Sequence, residues 1–158
     1  MGRKPFDDVD PARRRVMAAI RSKNTRPERL VRSALHAVGY RFRVHVSGLP
    51  GRPDIVFPQR KVAIFVHGCF WHQHPGCSLA RLPRVRLDYW GPKLRRNMER
   101  DAANIGKLLD LGWRVHTVWE CSLRGNLWMS NLRDVLGPQR MVRPASFPEP
   151  SEFAQITF

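Results

Sequence analysis

Apolar residues recur at helical spacing in the segment that follows Asn24. Thr25-Arg-Pro-Glu28 is a capping-box pattern with a proline in the first turn. Apolar side chains then continue at intervals of three and four residues as far as Gly39, namely Leu30, Val31, Ala34, Leu35 and Val38. This pattern predicts a helix from about Arg26 to Val38. A shorter amphipathic helix is predicted before it, from Ala12 to Ile20.

Three apolar, β-branched stretches come next, with turn residues between them. They cover Tyr40 to Val46, Asp54 to Phe57, and Val62 to Val66. A short connector, Pro58 to Lys61, separates the last two. Because so short a connector can join only antiparallel neighbours, the stretches predict an antiparallel meander.

A second helical pattern lies further along the chain. Pro92 is predicted to open a helix that ends at Gly112, and its apolar stripe is Leu94, Met98, Ala102, Ile105 and Leu109. A strand is predicted from Trp113 to Trp119 and a last helix from Leu127 to Leu136. The order strand, helix, strand predicts that Val62–Val66 and Arg114–Val118 are parallel neighbours whose carboxyl ends lie side by side.

The size of the chain sets its domain organisation. It has 158 residues, of which 42% are hydrophobic, enough for one ordinary core and too few for two. We therefore expect a single domain over residues 1–137 and a Pro-rich tail over 138–158.

No apolar run approaches the roughly 20 residues of a membrane span, and no N-terminal stretch has the form of a signal peptide. A monomeric, cytoplasmic protein is expected.

The charge of the chain indicates the kind of partner. Lys and Arg number 28 against 13 Asp and Glu, which gives a formal net charge of +15 and a pI of about 11.4. The basic residues are spread along the whole chain rather than collected in a tail. A folded surface of this kind favours a polyanion such as the phosphate backbone of DNA.

The cysteines suggest a metal site. Cys69, His74 and Cys77 have the spacing C-x4-H-x2-C in a long segment rich in Gly, Pro and His, and Cys121 follows the strand predicted to lie beside the one that leads to Cys69. Three thiolates and one imidazole form a closed tetrahedral site, which is typical of structural zinc. The alternative is three unrelated buried cysteines that act as small apolar residues.

Asp54, His67 and His72 are candidates for catalysis. Asp54 stands at the start of a strand, where a carboxylate can hold Mg²⁺, and the main-chain carbonyl of Val66 is the candidate for a second oxygen ligand. An imidazole can exchange protons near neutral pH, and His67 and His72 bracket the loop where this chemistry is needed. Alternatively, Asp54 is a turn residue and His67 an ordinary strand-end histidine. Glu28 is explained by helix capping alone.

Taken together, these segments resemble the very-short-patch repair (Vsr) endonuclease family. The resemblance runs from about Arg15 to Arg124 and includes Leu49-Pro-Gly-Arg-Pro-Asp54, His67-Gly-Cys-Phe-Trp-His72 and Trp119-Glu-Cys121. It implies an α/β fold: a three-layer α/β/α sandwich around a mixed sheet, restriction-endonuclease-like, with a zinc-stapled loop. It also implies a Mg²⁺-dependent nick 5′ to the thymine of a T:G mismatch in double-stranded DNA, in the repair of deaminated 5-methylcytosine.

The resemblance also implies roles for individual residues. Asp54 and the Val66 carbonyl would bind Mg²⁺, His72 would be the general base, and Glu28 and His67 would position water and phosphate. The zinc ligands would be Cys69, His74, Cys77 and Cys121. Phe70, Trp71 and Met17 would wedge into the DNA beside the mismatch, where a mispair gives way more cheaply than a Watson–Crick pair. Burial under the zinc loop is the alternative for Phe70 and Trp71.

One departure from the wider fold family leaves Asp54 as the only carboxylate for Mg²⁺, and two functions besides mismatch nicking are kept as alternatives. Restriction-endonuclease-like sheets follow Pro-Asp with an acidic residue, any residue and a lysine on the next strand, whereas Phe65 and His67 stand in those places here. One alternative is a nicking endonuclease of the same fold with a different DNA target. Another is a catalytically inactive, zinc-stabilised DNA-binding module.

Overall fold

The structure is a computed structural model that describes residues 23–138. The predicted helix Ala12–Ile20, with Met17 on it, and the tail from residue 139 onward lie outside the described residues.

Helix α1 spans Arg26–Ala37, with Val38 as its C-cap. It confirms the helix predicted from about Arg26 to Val38. Thr25 caps the amino terminus, where its side chain accepts a hydrogen bond from the Glu28 amide. Val31 and Leu35 are fully buried, so the apolar stripe of the sequence is the face that packs on the sheet.

The sheet has three described strands in the order β1-β2-β3, namely Ile55–Phe57, Val62–His67 and Arg114–Trp119. Strands β1 and β2 pair antiparallel, whereas β2 and β3 pair parallel, which confirms the predicted parallel pair. The sheet is therefore mixed. Its central strand, β2, is buried along its whole length.

The predicted strand Tyr40–Val46 is wrong. The segment makes one isolated antiparallel bridge, between Arg43 and Val56, and His45 has a positive φ of 53°, which interrupts an extended backbone. Tyr40 is instead buried in the core, where its ring contacts Phe57 edge to face and its hydroxyl donates to the Gly137 carbonyl at 2.8 Å. The apolar residues of this stretch therefore pack individually and do not form a ladder.

Helix α2 spans Leu87–Asp110 and contains Pro92, so the prediction that Pro92 opens the helix is wrong. A proline inside a helix removes one main-chain hydrogen bond, but Trp90 is only 9% exposed, and its burial holds the first turns in place. The predicted stripe also needs correction. The buried positions are Trp90, Leu94 and Leu108, while Met98 and Leu109 are about half exposed.

Helices cover both faces of β2. Val62, Ile64 and Val66 share a core with residues of α1 and of helix α3, Leu127–Leu136, whose predicted bounds are confirmed. Ala63 and Phe65 point the other way and pack with Leu108 of α2. The alternation of side chains along β2 thus divides the core in two. No helix within residues 23–138 is long and apolar enough to cross a membrane.

Candidate active site and metal centre

The candidate residues gather at one end of the sheet because β2 and β3 run in the same direction. In the parallel register, His67 lies beside Trp119. Cys69 and Cys121 each come two residues later, so both cysteines emerge at the same edge. This confirms the predicted juxtaposition of the two strand ends.

Four potential ligands, Cys69, His74, Cys77 and Cys121, come together at this edge and form the Cys/His cluster. Their ligand atoms all lie within 4.8 Å of one another. The Nδ1 atom of His74 is 3.3 Å from the sulfur of Cys121 and 3.8 Å from that of Cys69. Tight turns in the loop present these side chains, since the His74 amide donates to the Cys69 carbonyl at 3.0 Å and the Cys77 amide to the His74 carbonyl at 3.2 Å. A set of this composition could hold a metal ion.

The thiols of the cluster differ in their electrostatic environments. Burial raises the pKa of Cys69 to about 12, whereas the hydrogen bond from the Leu79 amide is the main cause of a lowered pKa at Cys77. Metal ligation requires thiolates. A divalent cation at the centre would offset the cost of a buried thiolate at Cys69, so the chemistry of the donor set fits a metal.

Asp54 lies immediately before β1 and is tied to β2 by two hydrogen bonds. Its amide donates to the Ile64 carbonyl at 3.0 Å, and its Oδ2 accepts from the Val66 amide at 2.7 Å. Burial raises the pKa of Asp54 to about 6, against the opposing effect of the Val66 hydrogen bond, and the nearby charge of Glu28 adds to the rise. A bound cation would offset the cost of a charged carboxylate at this half-buried position.

A second cluster, which we call the His/Asp stack, consists of His67, His72 and Asp101. The two imidazole rings stack with centroids 3.8 Å apart and planes 9° from parallel. The Nδ1 atom of His72 lies 2.5 Å from Asp101 Oδ2. Burial, together with the charge of His72, lowers the pKa of His67 to about 4. Burial disfavours the charged carboxylate of Asp101 and acts to raise its pKa. The hydrogen bond with His72 and the positive charge of that ring have a larger combined effect, so the pKa of Asp101 is lowered.

The stacked geometry suits proton transfer better than metal binding. A metal lies in the plane of an imidazole that binds it, about 2.0–2.1 Å from the nitrogen. The ligand atoms of His67, His72 and Asp101 also lie within 4.8 Å of one another, but two nearly parallel rings with centroids 3.8 Å apart cannot both hold one ion in their planes. The carboxylate of Asp101 instead fixes the orientation and tautomer of His72, as an acid–base catalyst requires.

Glu28 serves as a helix cap, as the capping-box pattern predicts. Its carboxylate accepts from the Asn24 amide and the Thr25 hydroxyl, each at 2.9 Å, and from Arg32 at 2.9 Å. Arg32 also donates to the Asp54 carbonyl at 3.2 Å. Glu28 is only 4% exposed, so the carboxylate is saturated by protein donors although its charge acts on Asp54.

Phe70 and Trp71 pack with Trp90 of α2 in an aromatic group at the junction of loop and helix. The ring centroids are 5.1 to 5.9 Å apart, and the Nζ atom of Lys93 lies 5.7 Å from the Trp71 centroid. Both loop aromatics are half-buried. The rings are therefore partly packed against the helix, and the predicted burial of these residues under the loop is not complete. Insertion into DNA would require these rings to leave their neighbours.

Sequence reasoning missed Asp101 and Asn97 as site residues. Both lie on the buried face of α2 between Leu94 and Leu108, at positions where the helical period calls for apolar side chains. Asp101 makes a hydrogen bond with His72, and the side-chain amide of Asn97 donates to the Trp71 carbonyl at 3.2 Å. The stripe predicted from the sequence runs instead through Met98 and Ala102, so these two polar residues were not recognised as part of the buried face.

Comparison with known proteins places the chain among DNA-cleaving enzymes. A family model described as DNA mismatch endonuclease Vsr matches residues 6–78. The chain is 53% identical over 134 residues to the type II nicking enzyme V.XorIIP of Xanthomonas oryzae pv. oryzae, which covers 84% of this chain and 98% of the relative. It is 47% identical over 109 residues to the DNA mismatch endonuclease Vsr of Escherichia coli K12, 69% of each protein. It is also similar to the type II nicking enzyme V.NaeI of Lentzea aerocolonigenes, at 46% identity over 117 residues, 71% of this chain and 69% of the relative.

Proposed function

Since this chain belongs to the Vsr family of DNA mismatch endonucleases and is therefore a DNA-cleaving hydrolase, we propose that it nicks one strand of double-stranded DNA. The nick falls 5′ to the thymine of a T:G mismatch and depends on Mg²⁺. The reaction starts the repair of a deaminated 5-methylcytosine. A mismatch as the target is supported by the similarity to the DNA mismatch endonuclease Vsr of Escherichia coli.

The observation that carries the proposal is the junction at the end of β2. Asp54 binds the Val66 amide at 2.7 Å, and the next residue, His67, stacks on His72. A carboxylate and an oriented base therefore lie on either side of one strand end. Hydrolysis of a phosphodiester needs a cation near the phosphate and a base near the attacking water, and this arrangement offers a place for each.

In the proposed mechanism His72 is the general base. Its Nδ1 is engaged by Asp101, which leaves Nε2 to take a proton from water, and the carboxylate stabilises the imidazolium that results. His67, whose lowered pKa of about 4 keeps it neutral at physiological pH, can donate one N–H to a phosphate oxygen without competing for the proton. Glu28 acts indirectly through its charge on Asp54.

Oxygen donors near Asp54 fit Mg²⁺, which prefers oxygen ligands and keeps several of its waters. The Asp54 carboxylate and the Val66 carbonyl would hold the ion. When bound, Mg²⁺ supplies positive charge that neutralises the phosphate and the leaving oxygen. The raised pKa of Asp54 means that a bound cation would also favour its ionised form.

In the Cys/His cluster, the three cysteines and one histidine fit Zn²⁺. The four protein ligands leave no open position, so the ion would be structural. It would tie the loop that carries His72 to the end of β3 through Cys121. The zinc thus keeps the base at the edge of the sheet without a part in the chemistry.

The remaining features of the proposal concern the fold and the DNA. Helices on both faces of the sheet support a restriction-endonuclease-like α/β/α sandwich. The net charge of +15 supports DNA as the partner. We further propose that the enzyme is monomeric and acts in the cytoplasm. We also propose that Phe70, Trp71 and Met17 enter the DNA stack beside the mismatch, which requires the two half-buried aromatic rings to leave their contacts with Trp90.

A second candidate is a nicking endonuclease with a different DNA target. It is favoured by the similarity to several type II nicking enzymes, whose names mention no mismatch. The two candidates share the site and differ only in the DNA that they cut.

The test is a nicking assay on end-labelled duplexes with one T:G mismatch in varied flanking sequences, beside fully matched duplexes. Wild type, Asp54→Ala and the control Asp134→Ala, an exposed carboxylate of α3, are compared with Mg²⁺ or EDTA. We expect a nick 5′ to the thymine that requires Mg²⁺ and Asp54 but not Asp134. Equal cutting of matched and mismatched DNA would support the second candidate, a nicking endonuclease with a different target. Binding of DNA without any nick would contradict the proposed mechanism.

A further inference from the structure

Trp119 connects the two clusters at the end of the sheet. One face of its indole stacks on His74, with ring centroids 4.2 Å apart and planes 12° from parallel. The same indole meets the ring of His67 nearly at a right angle, with centroids 5.4 Å apart. His67 in turn stacks on His72 at 3.8 Å. A continuous row of four rings therefore runs from the Cys/His cluster to the candidate base.

The position of Trp119 in the fold restricts how this row can move. Trp119 is the last residue of β3 and is paired in register with His67, so the main chains on both sides of the contact belong to the sheet. His74 belongs instead to the loop, and its Nδ1 faces the sulfurs of Cys69 and Cys121. Stacked and edge-to-face contacts fix the relative tilt of rings as well as their distance.

Resting on the function proposed above, we propose that Trp119 is a positioning residue that transmits the geometry of the Cys/His cluster to His67 and His72. The metal cluster then sets the rate of nicking through the orientation of the base, in addition to folding the loop. Trp119 itself touches no reacting atom. Its effect is on the placement of His72, for which an error of about 1 Å can cost roughly 100-fold in rate.

Variants of Trp119 separate this role from simple packing. Trp119→Leu keeps apolar bulk and removes the ring, and Trp119→Phe restores a smaller ring. Trp113→Leu is the matched control, because Trp113 is also half-buried but packs in the other core with Leu108. Each variant is assayed for single-turnover nicking, for DNA affinity with Ca²⁺ in place of Mg²⁺, and for bound metal.

We expect Trp119→Leu to nick roughly 10- to 100-fold more slowly with unchanged DNA affinity and one metal retained. Trp119→Phe should recover most of the rate, and Trp113→Leu should remain close to wild type. A wild-type rate in Trp119→Leu would overturn the proposal. Loss of the metal together with the rate would also overturn it, because Trp119 would then be a packing residue of the loop.

A second measurement needs neither DNA nor activity. The ring signals of His67 and His72 are recorded by NMR in protein loaded with Zn²⁺ and then with Cd²⁺, a larger ion. We expect the change of metal to shift these signals in wild type and much less in Trp119→Leu, whereas equal shifts in both would refute the link. If wild type fails to nick T:G duplexes, the proposed function fails, and the ring signals still decide whether Trp119 connects the clusters.

Discussion

The Cys/His cluster and the His/Asp stack lie side by side at one end of the sheet and use histidine in opposite ways. In the first cluster His74 directs a ring nitrogen at two sulfurs, and four ligand atoms converge. In the second, the rings of His67 and His72 lie face to face, so one metal ion could not lie in the planes of both, although the ligand atoms of His67, His72 and Asp101 are also within 4.8 Å of one another. The comparison teaches that the distance between ligand atoms does not by itself distinguish a metal site, because the relative orientation of the rings matters as well.

The largest effect is expected from a substitution that disrupts only the Cys/His cluster. Cys121→Ser removes a thiolate ligand, so we expect loss of bound metal and a fall in the free energy of unfolding of several kcal/mol, out of the roughly 10 kcal/mol that structural zinc contributes in small modules. Thermal unfolding and metal analysis measure the change, and Ser78→Ala, at an exposed neighbour of Cys77, is the control. Full metal occupancy in Cys121→Ser would contradict the ligand set.

A smaller effect is expected when only the orientation of the base is disturbed. Asp101→Asn keeps the shape of the side chain but presents a neutral amide to His72, so we expect nicking to fall roughly 10- to 100-fold, or about 1.4 to 2.7 kcal/mol. Metal content and DNA affinity should not change. Single-turnover assays measure the effect, with Asp110→Asn, an exposed residue of α2, as the control.

The same substitution also tests how Asp101 acts. His72→Ala should slow nicking by about 10²- to 10⁴-fold, and Asp101→Asn should have little further effect in that background. Additive losses would mean that Asp101 acts independently of His72.

The smallest effect concerns His116 of β3, a histidine that belongs to neither cluster. Burial lowers the pKa of His116, so below about pH 6.5 the unfolded chain binds a proton that the folded chain does not. The free energy of unfolding should therefore decrease as the pH falls from 7 toward 5. Denaturant unfolding at several pH values should show a shallower decrease in His116→Gln. An identical slope would show that His116 contributes nothing to the acid sensitivity.

Much of the fold could be predicted because helical and strand periods are local properties of the sequence. Helix α1 has a cap and a stripe with one period, and α3 has the bounds expected from its apolar residues. The order strand, helix, strand also predicted the parallel pairing of β2 and β3, and with it the nearness of Cys69 and Cys121.

The errors arise where tertiary contacts override these local patterns. Tyr40 is buried without belonging to a strand, because its ring packs in the core against Phe57 and its hydroxyl reaches Gly137, 97 residues away in the chain. Helix α2 begins at Leu87 because Trp90 packs against Phe70 and Trp71, which outweighs the proline. Asp101 was missed for a similar reason, since its partner His72 lies in a loop whose path the sequence does not specify.

The parallel pairing of β2 and β3 also means that the Cys/His cluster can be completed only late in synthesis. Cys77 and Cys121 are 44 residues apart in the chain. A ribosome that adds roughly 5–20 residues per second makes the first three ligands about 2 to 9 s before the fourth. Until Cys121 has been made, the nascent chain carries only three of the four residues of the cluster, so the loop with His72 cannot yet be joined to the end of β3 through this cluster.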